Sequence, residues 1–175
     1  MTNINSQWTT MDNKEKEFEK MVHNHKEVIY TTCYMFSKDE EEVADLFQET
    51  LINMWKGVSK DNNSIIQKEL DAQKAWIYRV ALNTCISWNR KNKNNNAISL
   101  TMDIDLFADK DSSSRQANML HQRICSLKPF DRAIILLWLE DMSYEEIGNI
   151  LGLTAKNISV RLVRIREELK KNNKH

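Results

Sequence analysis

Apolar residues recur along most of this chain at intervals of three and four, the spacing that gathers them on one face of an α-helix. Phe18, Met21, Val22, Val28, Ile29, Cys33 and Phe36 predict one or two helices beginning near Lys14. Ser37 and Glu40 have capping-box spacing and predict a helix running to about Lys56. Its core face would be Val43, Leu46, Phe47, Leu51 and Met54. Residues 57–71 read as a loop, and a further helix is predicted from about Ala72 to Lys91, with Ile77, Val80, Ala81, Cys85 and Trp88 as its buried stripe. Periodicity then fails. Asn92-Lys-Asn-Asn-Asn96 and Asp111-Ser-Ser-Ser114 bracket a stretch carrying Asp103, Asp105 and Asp109, which reads as a flexible acidic tether. The helical pattern resumes near Arg115 with Leu120, Ile124 and Leu127. Pro129 suits the first turn of the next helix, which carries Ile134, Ile135, Leu137 and Trp138.

The segment Ser143 to Lys171 is the most specific. Ser143 and Glu146 again have capping-box spacing, Ile147, Ile150 and Leu151 form one apolar face, and Gly152 can end the helix in the left-handed conformation. Leu153 plugs the turn and Thr154 can N-cap a second helix. There Ile158, Leu162, Ile165 and Leu169 make a continuous core stripe, while Asn157, Val160, Arg161 and Arg164 lie on the far side. A helix held by its back with a basic, polar outer face is the geometry that enters a DNA major groove. The alternative is an ordinary amphipathic pair with a solvated face; the short glycine turn and the charge asymmetry weigh against it.

No strand pattern or internal repeat appears. Three glycines and one proline in 175 residues fit a mostly helical chain. The expected fold is all-α: two small helical domains, residues 14–92 and 115–175, joined by a flexible linker, 93–114, with residues 1–13 polar and lacking fixed structure. No run is apolar enough to span a membrane and the N-terminus lacks signal-peptide features, so a cytoplasmic protein is expected. Cys33, Cys85 and Cys125 each sit in an apolar helical pattern and read as small buried hydrophobes. The histidines form no ligand spacing with them, and neither a metal nor a cofactor is implied.

The formal net charge is zero, but its distribution is uneven. Lys38 to Glu49 carries a net −5, Lys74 to Lys93 carries five bases and no acid, and Lys156 to His175 carries a net +5. Two basic stretches and one acidic one imply two nucleic-acid faces and a separate partner surface. On the acidic helix, Asp45, Gln48, Glu49 and Ile52 share a face suited to a basic helical partner. On the helix from Ala72, the face opposite the core holds Trp76, Arg79, Asn83, Ser87 and Arg90, followed by Lys91. Arginines hold phosphates, an amide reads base edges and an indole stacks on an unpaired base, as single-stranded nucleic acid requires. A lone tryptophan there is more often simply packed.

Three segments in this order resemble the sigma-70 family of bacterial transcription factors, specifically its extracytoplasmic-function branch. Asp45-Leu-Phe-Gln-Glu-Thr50 resembles the family motif on the helix that docks on the β′ clamp of core RNA polymerase. Ala75-Trp-Ile-Tyr-Arg-Val-Ala-Leu-Asn83 is similar to the start of the helix facing the −10 element. Leu127-Lys-Pro, Ser143-Tyr-Glu-Glu-Ile and Arg161-Leu-Val-Arg-Ile-Arg166 resemble the domain that reads the −35 element. The resemblance covers about residues 15–91 and 115–171. It implies a non-enzymatic promoter-specificity subunit. Asp45, Gln48, Glu49 and Ile52 would contact polymerase. Trp76, Arg79, Asn83, Ser87, Arg90 and Lys91 would serve the −10 element, and Lys156, Asn157, Ser159, Val160, Arg161 and Arg164 the −35 element. Implied partners are core RNA polymerase (β′ clamp helices and β flap), promoter DNA and an anti-sigma factor. The loop 57–71 matches in position the family's base-capturing loop, though its sequence does not align. The chain departs from the family at Ser87, where an acid is common, and at Lys156-Asn-Ile158, where Gly-Thr-Val is common. Two other classes are a stand-alone dimeric helix-turn-helix repressor, disfavoured by the tether and second basic face, and a nuclease holding Mg²⁺ on Asp45 and Glu49, which would need further carboxylates and an open site.

Overall fold

The computed structural model describes residues 4–60, 65–92 and 112–171, and within these the side chains from Asn13 onward apart from residues 112–114 and 117. Seven helices occupy these residues, with no strand among them. The expected linker lies outside the described residues from 93 to 111.

The first helix, α1 (Ile4–Phe36), runs 33 residues, roughly 50 Å at 1.5 Å per residue. It reaches back through most of the segment expected to lack fixed structure, and it is one helix rather than two. The physical reason is visible in the chain: no glycine or proline occurs before Gly57 to stop it. Near its end Thr32 and Ser37 turn their hydroxyls back onto the carbonyls of Val28 and Cys33, each at 2.7 Å. Ser37 is therefore spent closing α1 and does not cap α2 (Glu40–Lys60). That role falls to Asp39, whose carboxylate accepts the Glu42 amide at 2.8 Å, while the Glu42 carboxylate accepts the Lys38 amide at 2.6 Å. The capping motif is present but shifted by two residues.

Helix α2 extends four residues past the expected Lys56, because Val58 is fully buried and Gly57 packs against the edge of an indole: a Cβ there would stand 2.8 Å from Trp76 Cζ2. Of the expected loop, Ile65 and Ile66 are buried. They are held by Gln73 on α3 (Leu70–Asn92), whose amide donates to the carbonyls of Ile66 at 2.9 Å and Lys68 at 3.0 Å and whose Oε1 meets His25 Nε2 at 3.3 Å. Helices α1–α3 close around Met21, Ile29, Phe36, Leu46, Met54, Ile77 and Leu82. The buried stripe of α3 is broader than expected: Tyr78, Leu82 and Thr84 join it, while Val80 and Trp88 are half-buried. Cys33 and Cys85 are fully buried.

The second unit comprises α4 (Ser112–Ser126), α5 (Pro129–Leu139), α6 (Tyr144–Leu151) and α7 (Ala155–Lys171). Pro129 occupies the first turn of α5, as expected. Its core contains Ile124, Leu127, Ile134, Leu137, Ile147, Ile158, Leu162 and Ile165. Between the two units sits Arg132, only 8% exposed. Its Nη1 donates to the Met35 carbonyl at 3.1 Å and its Nη2 to those of Leu127 at 3.0 Å and Cys125, with the Phe36 ring beneath. These carbonyls end α1 and α4, where unpaired C=O groups concentrate negative potential. Cys125 Sγ also reaches the Met35 carbonyl, and Tyr34 stacks on His121 at 4.6 Å.

Candidate nucleic-acid interface

The helix-turn-helix forms through local chemistry. The Ser143 hydroxyl accepts the Glu146 amide at 3.2 Å, and the Glu146 carboxylate accepts the Ser143 amide at 2.8 Å. The Ser143 amide holds the Glu146 carboxyl below the usual carboxylate range. Gly152 ends α6 at φ 72°, where an L side chain is strained. Gly148 has a different necessity: any Cβ would strike the Leu153 carbonyl of the turn, which accepts no alternative position because Leu153 N donates back to Gly148 O at 2.9 Å. The Asn157 amide donates to Thr154 Oγ1 at 3.2 Å, capping α7.

On α7 the buried stripe is Ile158, Leu162 and Ile165. Opposite it, Lys156, Asn157, Val160, Val163 and Arg164 are exposed, whereas Ser159 and Arg161 lie on the flanks, partly covered. Arg161 is drawn inward: its Nη1 donates to Asp131 Oδ1 at 3.0 Å and its guanidinium lies 5.1 Å from the Phe130 ring centre. Arg166, about three turns from the cap, likewise lies over Trp138 at 5.6 Å.

The face of α3 is more committed. Trp76 is half-buried, and the Cζ2 edge of its ring stands against Gly57. Arg79 is exposed, yet its Nη2 donates to the Asn149 carbonyl of α6 at 2.6 Å. Lys74 pairs with Glu140 of the second unit at 3.4 Å. That carboxylate also faces Tyr78, whose hydroxyl is pushed well above its ordinary pKa chiefly by burial and then by Glu140. Arg90 and Lys91 are exposed in the last turn, where cations also favour the helix dipole.

Asn83, Ser87 and Lys91 line a groove of about 640 Å³ between α2 and α3, together with Glu49, Asn53, Thr84 and Trp88. Its walls are fixed: Asn53 Nδ2 donates to Thr84 Oγ1 at 3.1 Å, and Trp88 Nε1 donates to Glu42 at 2.9 Å. The acidic face of α2 is thus divided. Asp45, Gln48 and Ile52 point outward, Ile52 at 47% exposure, while Glu49 is half-buried and turns into the groove. Asn53, one turn beyond Glu49, carried a signal in its spacing; Thr84 and Trp88 carried none, since both match the buried stripe.

Residues 21–95 match the family model described as Sigma-70 region 2, and residues 117–169 the model described as Sigma-70, region 4. The ECF RNA polymerase sigma factor SigW of Bacillus subtilis (strain 168) is 30% identical over 169 residues, covering 88% of this chain and 87% of that protein. The ECF RNA polymerase sigma factor SigE of Mycolicibacterium smegmatis is 26% identical over 161 residues, covering 87% of this chain but only 60% of that longer protein. In three dimensions the chain resembles the sigma factor RpoE solved in complex with the anti-sigma factor NepR from Bartonella quintana. There the TM-score is 0.66 at 21% identity, over 89% of this chain and 96% of that one. It also resembles CnrH solved with the cytosolic domain of CnrY, with a TM-score of 0.58 at 22% identity, over 88% and 85% of the two chains.

Proposed function

The chain belongs to the sigma-70 family, in its extracytoplasmic-function branch, and from that premise we propose that it is the subunit that gives core RNA polymerase its choice of promoter. The observation that carries this reading is that one chain presents an acid-and-isoleucine face on α2 and two basic faces, on α3 and α7, each on its own helix.

In this mechanism Asp45, Gln48 and Ile52 dock α2 on the β′ clamp helices, with Glu49 supporting them from the groove side. The second unit engages the β flap and lays α7 along the −35 element. Lys156 and Arg164 contact phosphates and Asn157 a base edge or phosphate, while Ser159 and Arg161 act from the flanks. On α3, Asn83, Ser87 and Lys91 receive the opened −10 strand in the groove, and Arg79 and Arg90 hold its backbone. Trp76, half-buried, stacks on a base with the part of its ring left exposed. Capture of unstacked bases drives melting by binding energy. A good bidentate base contact discriminates by about 1–3 kcal/mol, so tight promoter binding requires polymerase to join the two units into one bivalent reader. An anti-sigma factor is the expected regulator, and its natural targets are the same faces.

The test is capture of core RNA polymerase by the purified chain, followed by run-off transcription from genomic fragments. Discrete new start sites are expected. A folded chain that captures no cognate polymerase would remove the proposal.

A further inference from the structure

Helix α7 carries two large apolar side chains that its own fold does not use. Val160 is 46% exposed and Val163 is 54% exposed, and they stand three residues apart on the outward face. Residues at that spacing are neighbours about 5–6 Å apart. Isolated exposed apolar residues are common on any protein. Here, however, the inward stripe of Ile158, Leu162 and Ile165 already fills the core, and valine is a poorer helix former than the Lys, Arg and Glu that cover the rest of the surface.

What surrounds the pair completes the picture. Lys156 and Asn157 precede it and Arg164 follows it, all exposed. Arg161, which would otherwise lean over the strip, is drawn to the flank by Asp131 and Phe130. The centre of the face is therefore apolar, with Lys156 and Arg164 on its rim and the exposed carboxylate of Glu167 one turn beyond Val163. In a major groove the rim charges match phosphates, and the one apolar group that any base pair offers is the 5-methyl of thymine. Successive valines rise about 4.5 Å along the helix, and base pairs about 3.4 Å along the duplex, so the two side chains address neighbouring pairs.

We propose that Val160 and Val163 form a methyl-reading strip that selects thymine at one or two positions of the upstream promoter element. This rests on the assignment of α7 as the −35 reader. Arg161 then acts by fixing α7 on α5 rather than by reading a base.

The experiment uses the holoenzyme and a promoter located by the mapped start sites. Duplexes are prepared in which each thymine of the upstream element, on either strand, is replaced singly by deoxyuridine, which removes only the methyl. Burying one methyl contributes about a fourfold change in affinity. The wild-type holoenzyme is expected to bind at least one such duplex about fourfold more weakly. Val160→Ala with Val163→Ala should bind the thymine and uracil forms equally. Alanine favours the helix, so this variant keeps its fold, which circular dichroism checks. Equal wild-type binding to every uracil duplex, retained discrimination by the double variant, or an upstream element without A·T pairs would each overturn the strip. If scrambling the whole upstream element leaves binding unchanged, the −35 assignment itself falls, and the strip with it.

Discussion

The two basic faces are built in opposite ways. That of α7 is convex, and its exposed residues make no contact that the fold requires, because capping and the Ile158–Leu162–Ile165 stripe hold the helix from behind. That of α3 is concave and entangled: the edge of Trp76 stands against Gly57, Arg79 donates to the Asn149 carbonyl, and Asn83, Ser87 and Lys91 share a groove with Glu49. A reader of intact duplex needs a protruding ridge, since sequence is displayed on groove floors. A reader of separated strand needs walls, because an unstacked base must be enclosed and stacked. Mutation of α7 residues should therefore change binding alone, and mutation of α3 residues should change binding and packing together.

The strongest challenge to this division is at the partner face. Asp45→Arg combined with Glu49→Arg is expected to abolish polymerase capture with the helical content intact; Asp45→Arg alone should lose capture, and Glu49→Arg alone should also disturb the −10 groove. Capture assays on the three variants check this, and full capture by the double variant would remove α2 as the docking helix.

Next in size is Gly148→Ala. Overpacking against a backbone carbonyl costs about 1–3 kcal/mol, and here it falls on the turn that aims α7. Urea denaturation should show that loss, with Gly152→Ala costing about 1–2 kcal/mol from its left-handed conformation. Unchanged midpoints would mean the turn relaxes freely.

A finer comparison sets Arg164 against Arg79. Removing a single phosphate contact lowers the salt slope of DNA binding by about one unit. Arg164→Ala should show that full reduction. Arg79→Ala should show less in the free chain, because its guanidinium is already held by Asn149, but should approach it once polymerase is bound. Titration of holoenzyme and free chain over a range of salt separates the two.

The smallest effect is with pH. The Glu146 carboxyl is held below its ordinary value by the Ser143 amide. Its contribution is therefore complete above pH 4.5, the ordinary value, and is lost as pH falls through the lower folded value. Glu146→Gln keeps the hydrogen bond and should remove this acid sensitivity. At the seam, burial and then Arg132 lower the His121 pKa from 6.5, so stability there declines as pH falls below 6.5, where the unfolded chain takes up the proton first. Melting profiles of wild type and His121→Gln test the second point.

The sequence displayed what is local. The Ser143–Glu146 box, the Gly152 terminator, the Thr154 cap and the α7 stripe are each written within a few residues, and each stands where expected. Local rules failed where two readings competed. Ser37 could cap forward or bond back to Cys33; it bonds back, and Asp39, two residues on and an equally good cap, takes the forward role. They failed again where the partner is distant. Nothing near Arg132 announces a buried guanidinium, since its acceptors begin with a carbonyl 97 residues away. Nothing in the neighbouring residues shows that Gly148 must lack a side chain; the turn that folds over it does. At the candidate site, face membership was legible from periodicity, but the withdrawal of Arg161 and the shared wall of Glu49 and Asn83 depend on neighbours that periodicity does not contain.

The seam between the units has a thermodynamic consequence. Arg132, Lys74 and Arg79 hold the two units together with contacts that include part of the −10 face. On the proposed assignment of Arg79 to the −10 strand, only molecules with that seam parted offer its whole guanidinium to DNA, and for that mode the apparent dissociation constant is the intrinsic one divided by their fraction. A chain parted about one time in a hundred would bind promoter strand about a hundredfold more weakly than its contacts allow. Whatever separates the units restores that factor. Polymerase, by gripping each unit at its own station, would act as an allosteric activator of a surface it does not touch.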